Sequence, residues 1–339
     1  MTVSLKPIAH QILVITGASG GIGLAVAREA AARGARLVLA ARNGGALTRI
    51  ASELGARGAR VVTVEADVSE PEEARRVAQV AQAAFGGFDA WISTAPSVTA
   101  GDALVAPASD QRLLFDTLYW SAAHGAIEAA RHLRRRGGAI VVVGGAFADR
   151  ALARHAPYGA ARGAIEAFAG GLRRELEAQG APVSVTLVKP SAVGEGAPAA
   201  HAAEEGPAYD PAVVARAVLF AVEHRRRTLV VGAGGFAAGA LGEIAPGLAR
   251  RMGRATPRRE TSLALEAQIH PVAAAALAAG AGLLVAGLAY ALGVGRDRGP
   301  QTRSPQDARY SAWRASRPMR ARRAARHPTM RQGSRVVTH

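Results

Sequence analysis

Thr16-Gly17-Ala18-Ser19-Gly20-Gly21-Ile22-Gly23 follows the apolar run Ile12-Leu13-Val14-Ile15 and opens an Ala-rich amphipathic run over 24–33. The pattern predicts a strand, a glycine turn and a helix, in that order. Gly17 allows the sharp reversal, Gly21 lets the backbone approach a pyrophosphate, and Gly23 lets the helix lie close to the sheet. Phosphates held there face a helix N-terminus, where unpaired N–H groups and the helix dipole favour negative charge. The stretch points to a dinucleotide site, with Gly17, Ser19, Gly21, Ile22 and Gly23 on its phosphate side.

The rest of the chain fits a domain built around that unit. Hydrophobic residues make up 49% of the 339 positions, ample for a core, but aromatics only 4%, so packing rests on Ala, Val, Leu and Ile. There is no Cys, which excludes disulfides, thiol catalysis and Cys-ligated zinc. The nine His contain no His-x-x-x-His pair, so no metal site is expected. No long apolar run lies within the first ten residues, so no signal peptide is expected. The net charge of +16 is unevenly placed: residues 296–339 hold twelve Arg and two Asp. Lys6 and Lys189 are the only lysines.

Short apolar runs alternate with longer amphipathic ones. Strands are expected over 12–16, 36–41, 60–65, 90–94, 139–143, 183–189 and 228–231. Helices are expected over 22–33, 45–55, 71–85, 110–136, 158–179 and 211–224. Near-continuous apolar strands separated by helices imply an α/β fold with a parallel sheet covered on both faces. Residues 190–209 read as a loop of the kind that covers a substrate, and 233–262 as a Gly-, Pro- and Arg-rich stretch. Residues 271–295 carry no charge over 25 positions, long enough to span a bilayer, with Gly282 and Ala286 as a small-residue face. The competing reading of that stretch is a buried core helix. Residues 296–339 are too poor in apolar side chains to offset the entropy of ordering, so a disordered basic tail is expected. The expected organisation is a nucleotide-binding domain over 1–235, an extension over 236–270, a membrane helix over 271–295 and the tail.

The chain resembles the short-chain dehydrogenase/reductase family over roughly residues 8–235. Gly17, Gly21 and Gly23 match its Gly-xxx-Gly-x-Gly turn. Asp67-Val68 matches the pair that contacts adenine, and Tyr158 opens the helix bearing its Tyr-xxx-Lys motif. The run Val183-Ser184-Val185-Thr186-Leu187-Val188-Lys189-Pro190 matches the strand and proline before its substrate loop. The resemblance implies a Rossmann-type doubly wound sheet and a nicotinamide cofactor, with Thr94 and Pro190 also on the cofactor side. It implies hydride transfer between cofactor and a carbonyl or secondary alcohol, and often pairing of two copies through long helices. The second strand ends in Ala41-Arg42, where an acid would bind the ribose hydroxyls of NAD. An Arg there pairs instead with a 2′-phosphate, which favours NADP(H) over NAD(H); a solvated surface arginine is the alternative reading.

In that family a Tyr transfers the proton, a Lys four residues on assists it, a Ser orients the carbonyl and an Asn completes a relay. A tyrosine ionises near pH 10 in water, so it needs a neighbouring cation to act near neutrality. Here Tyr158 is kept, Arg162 stands at the Lys position, Gly145 at the Ser position and Leu118 at the Asn position. The Asn-Asn-Ala-Gly motif reads Ser93-Thr94-Ala95-Pro96. Arg162, at i+4, shares a helix face with Tyr158 and carries permanent charge, but its planar guanidinium does not reproduce a lysine contact. Loss of one donor to the reacting oxygen typically costs about 10²–10³ in rate.

Three functions remain open. The first is a membrane-attached, cytoplasmic-facing NADP(H)-dependent oxidoreductase acting on a small apolar carbonyl or alcohol, with Tyr158 and Arg162 as its catalytic pair. The second is a non-catalytic NADP(H)-binding sensor or scaffold in which Tyr158 is a structural remnant. The third is an interaction protein whose function lies in the tail; the tail itself is read as an inert solvated segment, as a binder of anionic lipid or, least favoured, as a binder of nucleic acid. Trp91, Trp120 and Phe147 are read as pocket lining or core, Glu204-Glu205 as a solvated pair, and Lys189 as reaching the cofactor region or serving the surface.

Overall fold

A computed structural model describes residues 3–94, 103–145, 156–191, 193, 209–232 and 262–270. The run that opens the glycine stretch is β1 (Ile12–Thr16), buried at every position. Around it lie β2 (Arg36–Ala41), β3 (Val61–Glu65), β4 (Ala90–Ser93), β5 (Gly138–Val143), β6 (Val183–Pro190) and β7 (Thr228–Val231). They form one seven-stranded sheet in the order β3-β2-β1-β4-β5-β6-β7, with every pair parallel. The order reverses between β1 and β4. In such sheets ligands bind in the crevice beyond the carboxyl ends of the strands at this reversal, which is where the glycine stretch sits.

One face of the sheet carries α1 (Gly21–Ala32), α2 (Gly44–Gly55) and α7 (Pro211–Glu223), whose Val26, Leu47 and Val218 pack with Leu13, Ile15 and Val141. The other carries α3 (Pro71–Phe85), α5 (Ser121–Arg136) and α6 (Ala156–Ala178), whose Val77, Leu133 and Ile165 pack with Val14, Trp91 and Ile140. Their local chemistry marks the ends. Asn43 caps α2 by accepting from the Ala46 N–H at 2.9 Å, and Asp210 caps α7 by accepting from Ala212 at 2.8 Å. Pro71 opens α3, and Gly86, at φ 79°, closes it in the left-handed region.

The helix expected over 110–136 is not continuous. It comprises α4 (Ala108–Phe115), a π turn (Asp116–Trp120) and α5. The Ser121 hydroxyl donates to the Thr117 carbonyl at 2.6 Å, and the extra residue turns Leu118 fully into the core. Single π turns inside α-helices recur near functional sites.

Beyond β7, α8 (Leu263–Ile269) docks on the sheet edge. The Gln268 amide donates to the Val230 carbonyl and accepts from the Val230 N–H, both at 3.0 Å. The Ser262 hydroxyl accepts from the Gly232 N–H at 2.9 Å, and Leu265 is fully buried. Among the described residues, the open edge of β7 is thus paired by a side chain instead of a strand. The chain groups into two compact units, Met1–Leu277 and Ala278–His339. No helix among the described residues is long and apolar enough to cross a membrane. The membrane helix expected over 271–295 and the tail lie outside the described residues.

Candidate functional site

The glycine turn has the geometry its sequence implies. Gly17 has φ +71°, and a Cβ there would run into the Thr94 carbonyl. A Cβ on Gly23 would enter the Gly17 carbonyl, so α1 approaches as closely as glycine permits. Gly21, at φ +51°, and Gly20 have nothing within 4 Å of a Cβ position, leaving backbone open in front of the turn. Ser19 and Ile22 are half-buried beside it, and the Ala18 N–H donates to Ala40 at 3.2 Å. An open turn of backbone N–H groups at a helix start suits a pyrophosphate.

Arg42 is exposed just beyond β2 and forms no ion pair with the described residues. Asp67 is also exposed. Its Oδ1 accepts from the Ser69 N–H at 3.1 Å and the Ser69 hydroxyl at 2.7 Å, which shapes the turn into α3. Glu70 occupies the cap position of α3. Val68 is half-buried against the core under α3. His124 Nδ1 lies 2.8 Å from the Ser69 carbonyl and its ring stacks on Trp120, tying α5 to this turn. A lone histidine in an Ala-rich helix gives no sequence signal for that role.

Thr94 serves the turn from behind. It is buried, and its hydroxyl donates to the Thr16 carbonyl at 2.7 Å, locking β4 to β1. Ser93 is buried too, with no partner for its hydroxyl among the described residues. Pro190 ends β6 inside the sheet, paired with Val231. Lys189 is buried, with Nζ 3.1 Å from both carboxylate oxygens of Glu166, and so joins β6 to α6. Trp91 is fully buried, facing Gly125 on α5, whereas Trp120 is 43% exposed. Phe147 and Glu204-Glu205 lie outside the described residues.

Three of the four catalytic positions meet. Tyr158, in the first turn of α6, is half-buried. Arg162, one turn on, is only 7% exposed, and its guanidinium carbon lies 5.0 Å from the Tyr158 ring centroid. Its Nη1 donates to the carbonyls of Val143 at 3.2 Å and Gly144 at 2.7 Å, at the end of β5. Its Nε is buried with no partner. A Cβ on Gly145 would lie 3.6 Å from that Nε and 3.9 Å from the Tyr158 hydroxyl. The fourth position, Leu118, is sealed in the core that Tyr158 also packs against, so it offers no polar atom.

A cleft of about 220 Å³, lined by Lys6, Arg36, Asp89, Arg136 and the Gly86-Gly87 and Gly137-Gly138 turns, lies at the amino ends of the strands. That is the wrong end of a parallel sheet for the chemistry above. Among the described residues no His, Asp or Glu group is placed to hold a metal.

The comparisons agree with this geometry. The family model for short chain dehydrogenases matches residues 11–205. An uncharacterised oxidoreductase of Bacillus subtilis, YxnA, is 38% identical over 260 residues, covering 74% of this chain and 73% of its own. The 11-beta-hydroxysteroid dehydrogenase A of Sesamum indicum is 34% identical over 191 residues, 56% of this chain, which spans about half that relative's length (54%). Among solved structures, the L-sorbose reductase of Gluconobacter frateurii, complexed with NADPH and L-sorbose, aligns with a TM-score of 0.60 at 24% identity, over 68% of this chain and 97% of that one. The alcohol dehydrogenase of Thermococcus sibiricus, complexed with 5-hydroxy-NADP, aligns at 0.59 and 24%, over 65% and 95%. Those two show the fold. The chain, with its glycine turn, parallel sheet and Tyr158 helix, belongs to the short-chain dehydrogenase family of oxidoreductases.

Proposed function

We propose that this protein transfers hydride between NADP(H) and a carbonyl or secondary alcohol of a small apolar substrate. The observation that carries the reading is the meeting of Tyr158, Arg162 and the open space at Gly145. The open glycine turn supports a bound dinucleotide, and the unpaired Arg42 supports the 2′-phosphate form. When bound, NADPH supplies the hydride. Tyr158 holds the proton for the substrate oxygen, and Arg162 keeps a fixed positive charge against the tyrosine ring. Arg162 Nη1 is committed to β5 carbonyls, so that nitrogen does not supply the contact that the family's lysine makes with the ribose. Thr94 acts by shaping the glycine turn. The reading is tested by NADPH oxidation with a panel of aldehydes, ketones and quinones. Tyr158→Phe is expected to lower kcat by about 10²–10⁴, with NADPH affinity, read by fluorescence, unchanged. Unchanged turnover in that variant overturns the assignment.

A second reading, a non-catalytic NADP(H)-binding protein, is favoured by one observation: Leu118 is sealed in the core, where the relay's polar group belongs. It predicts NADPH affinity without turnover of any panel compound. Both readings place the folded domain on the cytoplasmic side of a membrane held through residues 271–295. They also allow pairing of two copies through α5 and α6. Support for the membrane link is the uncharged 25-residue run in the sequence.

A further inference from the structure

We propose that the Nε–H of Arg162 is the second hydrogen-bond donor to the reacting oxygen, standing in for the hydroxyl that position 145 lacks. The proposal rests on the oxidoreductase reading above and assigns the work of two lost family residues to one side chain.

The argument starts from an unmet donor. Burying an N–H without a partner is unfavourable, and more so for a charged group. Arg162 is 7% exposed, and the described residues leave its Nε unpaired while its Nη1 holds two carbonyls. Those two bonds, with the Tyr158 ring centroid 5.0 Å from the guanidinium carbon, hold the guanidinium in place. Holding the group sets the Nε–H direction, because the five donors form a rigid fork.

The space beside Nε is the space at Gly145. A Cβ there would sit 3.6 Å from Nε and 3.9 Å from the Tyr158 oxygen, ordinary contact distances. Among the described residues, glycine at 145 therefore leaves space beside two donors, one neutral and one charged. A carbonyl oxygen entering it meets both. As hydride reaches the carbonyl carbon, the C=O π pair moves onto that oxygen, which takes the Tyr158 proton. A fixed charged donor is strongest at that moment, because charge is gathering on its acceptor. The same geometry explains why the missing serine is not simply a defect. A hydroxyl on residue 145 would lie within reach of Nε and accept its hydrogen, competing with the substrate. Glycine at 145 and arginine at 162 are thus one coupled solution, and serine with lysine another.

The coupling is read in the full chain, with and without turnover. In ¹⁵N-labelled protein the Arg162 Nε–H resonance is identified by its loss in Arg162→Lys. Gly145→Ser is expected to shift that resonance by giving it an acceptor, and Gly145→Ala is not. A resonance unmoved by Gly145→Ser overturns the geometry. In NADPH oxidation, Arg162→Lys is expected to lower kcat by about 10²–10³, with NADPH affinity little changed. Adding Gly145→Ser to Arg162→Lys is expected to restore most of it, whereas Gly145→Ser alone lowers kcat. That non-additive pattern is one a merely structural arginine does not give. Wild-type turnover that survives Arg162→Lys overturns this proposal alone. A wild type that turns over no carbonyl overturns the oxidoreductase reading and this proposal with it. Should Arg162→Lys fail to fold, Arg162→Gln identifies the resonance instead, and Gly145→Ser alone keeps the kinetic readout.

Discussion

Arg42 is where a single side chain sets a preference. It stands exposed past β2 without an ion-pair partner among the described residues. A hydrogen bond to a charged group is worth about 1.5–3 kcal/mol. Arg42→Asp is therefore expected to weaken NADPH binding roughly 10- to 100-fold and to improve NADH binding, both read by fluorescence titration. Equal affinity for the two forms before and after the change refutes the role. The identity of Arg42 was legible in the sequence because it follows an apolar strand directly. The direction of Arg162 was not. Spacing placed it on the face of Tyr158, but whether it turned to the cofactor or to β5 depended on the Val143 and Gly144 carbonyls, which no local pattern reports. Thr94 was legible as a motif position only; its bond to Thr16 needs two strands side by side.

Elements show the same division. Strands were readable because parallel strands at the centre of a sheet are largely apolar, and their observed bounds differ from expectation by at most one residue at either end. The break in the helix over 110–136 was not readable. Apolar spacing continues through it, and the π turn arises where Leu118 is drawn into the core and Ser121 bonds back to Thr117. The packing of α5 on the β4 region makes an element-scale prediction. His132 stacks on Phe88 at 4.1 Å, and its Nε2 accepts from the Phe88 N–H at 3.3 Å. Burial, then the neighbouring Arg136, holds its pKa below the ordinary 6.5, against the opposing pull of Asp89. Above pH 6.5 the ring is neutral in both folded and unfolded chains, so its contribution is complete. As pH falls below 6.5, the unfolded chain takes up the proton first, and stability is lost until the depressed folded value is passed. Urea midpoints are expected to fall over that window in the wild type and to fall less in His132→Gln. Identical pH slopes in the two proteins would contradict the assignment.

At the scale of the molecule, the folded unit extends past β7. The sequence suggested completion near residue 235, because the Gly- and Arg-rich stretch that follows hides the short helix with Ser262, Leu265 and Gln268. Ending the chain at Thr261 removes the Leu265 burial and the bonds to Gly232 and Val230. It is expected to cost roughly 3–5 kcal/mol relative to a chain ending at His270, measured by urea unfolding; equal midpoints contradict the docking. The full chain, unlike the chain ending at His270, is expected to sediment with phosphatidylcholine vesicles containing phosphatidylserine. Retention in high salt points to the uncharged run, and release by salt points to the Arg-rich tail.

Hydride transfer at Tyr158 is tested by following the hydride itself. Wild-type protein is incubated with NADPH carrying deuterium at both C4 positions of the nicotinamide and with a ketone that consumes it. One deuterium is expected on the carbinol carbon of the product by mass spectrometry, with the yield lost in Tyr158→Phe. NADPH that binds tightly while no deuterium reaches any carbonyl compound would contradict it and leave the non-catalytic reading standing.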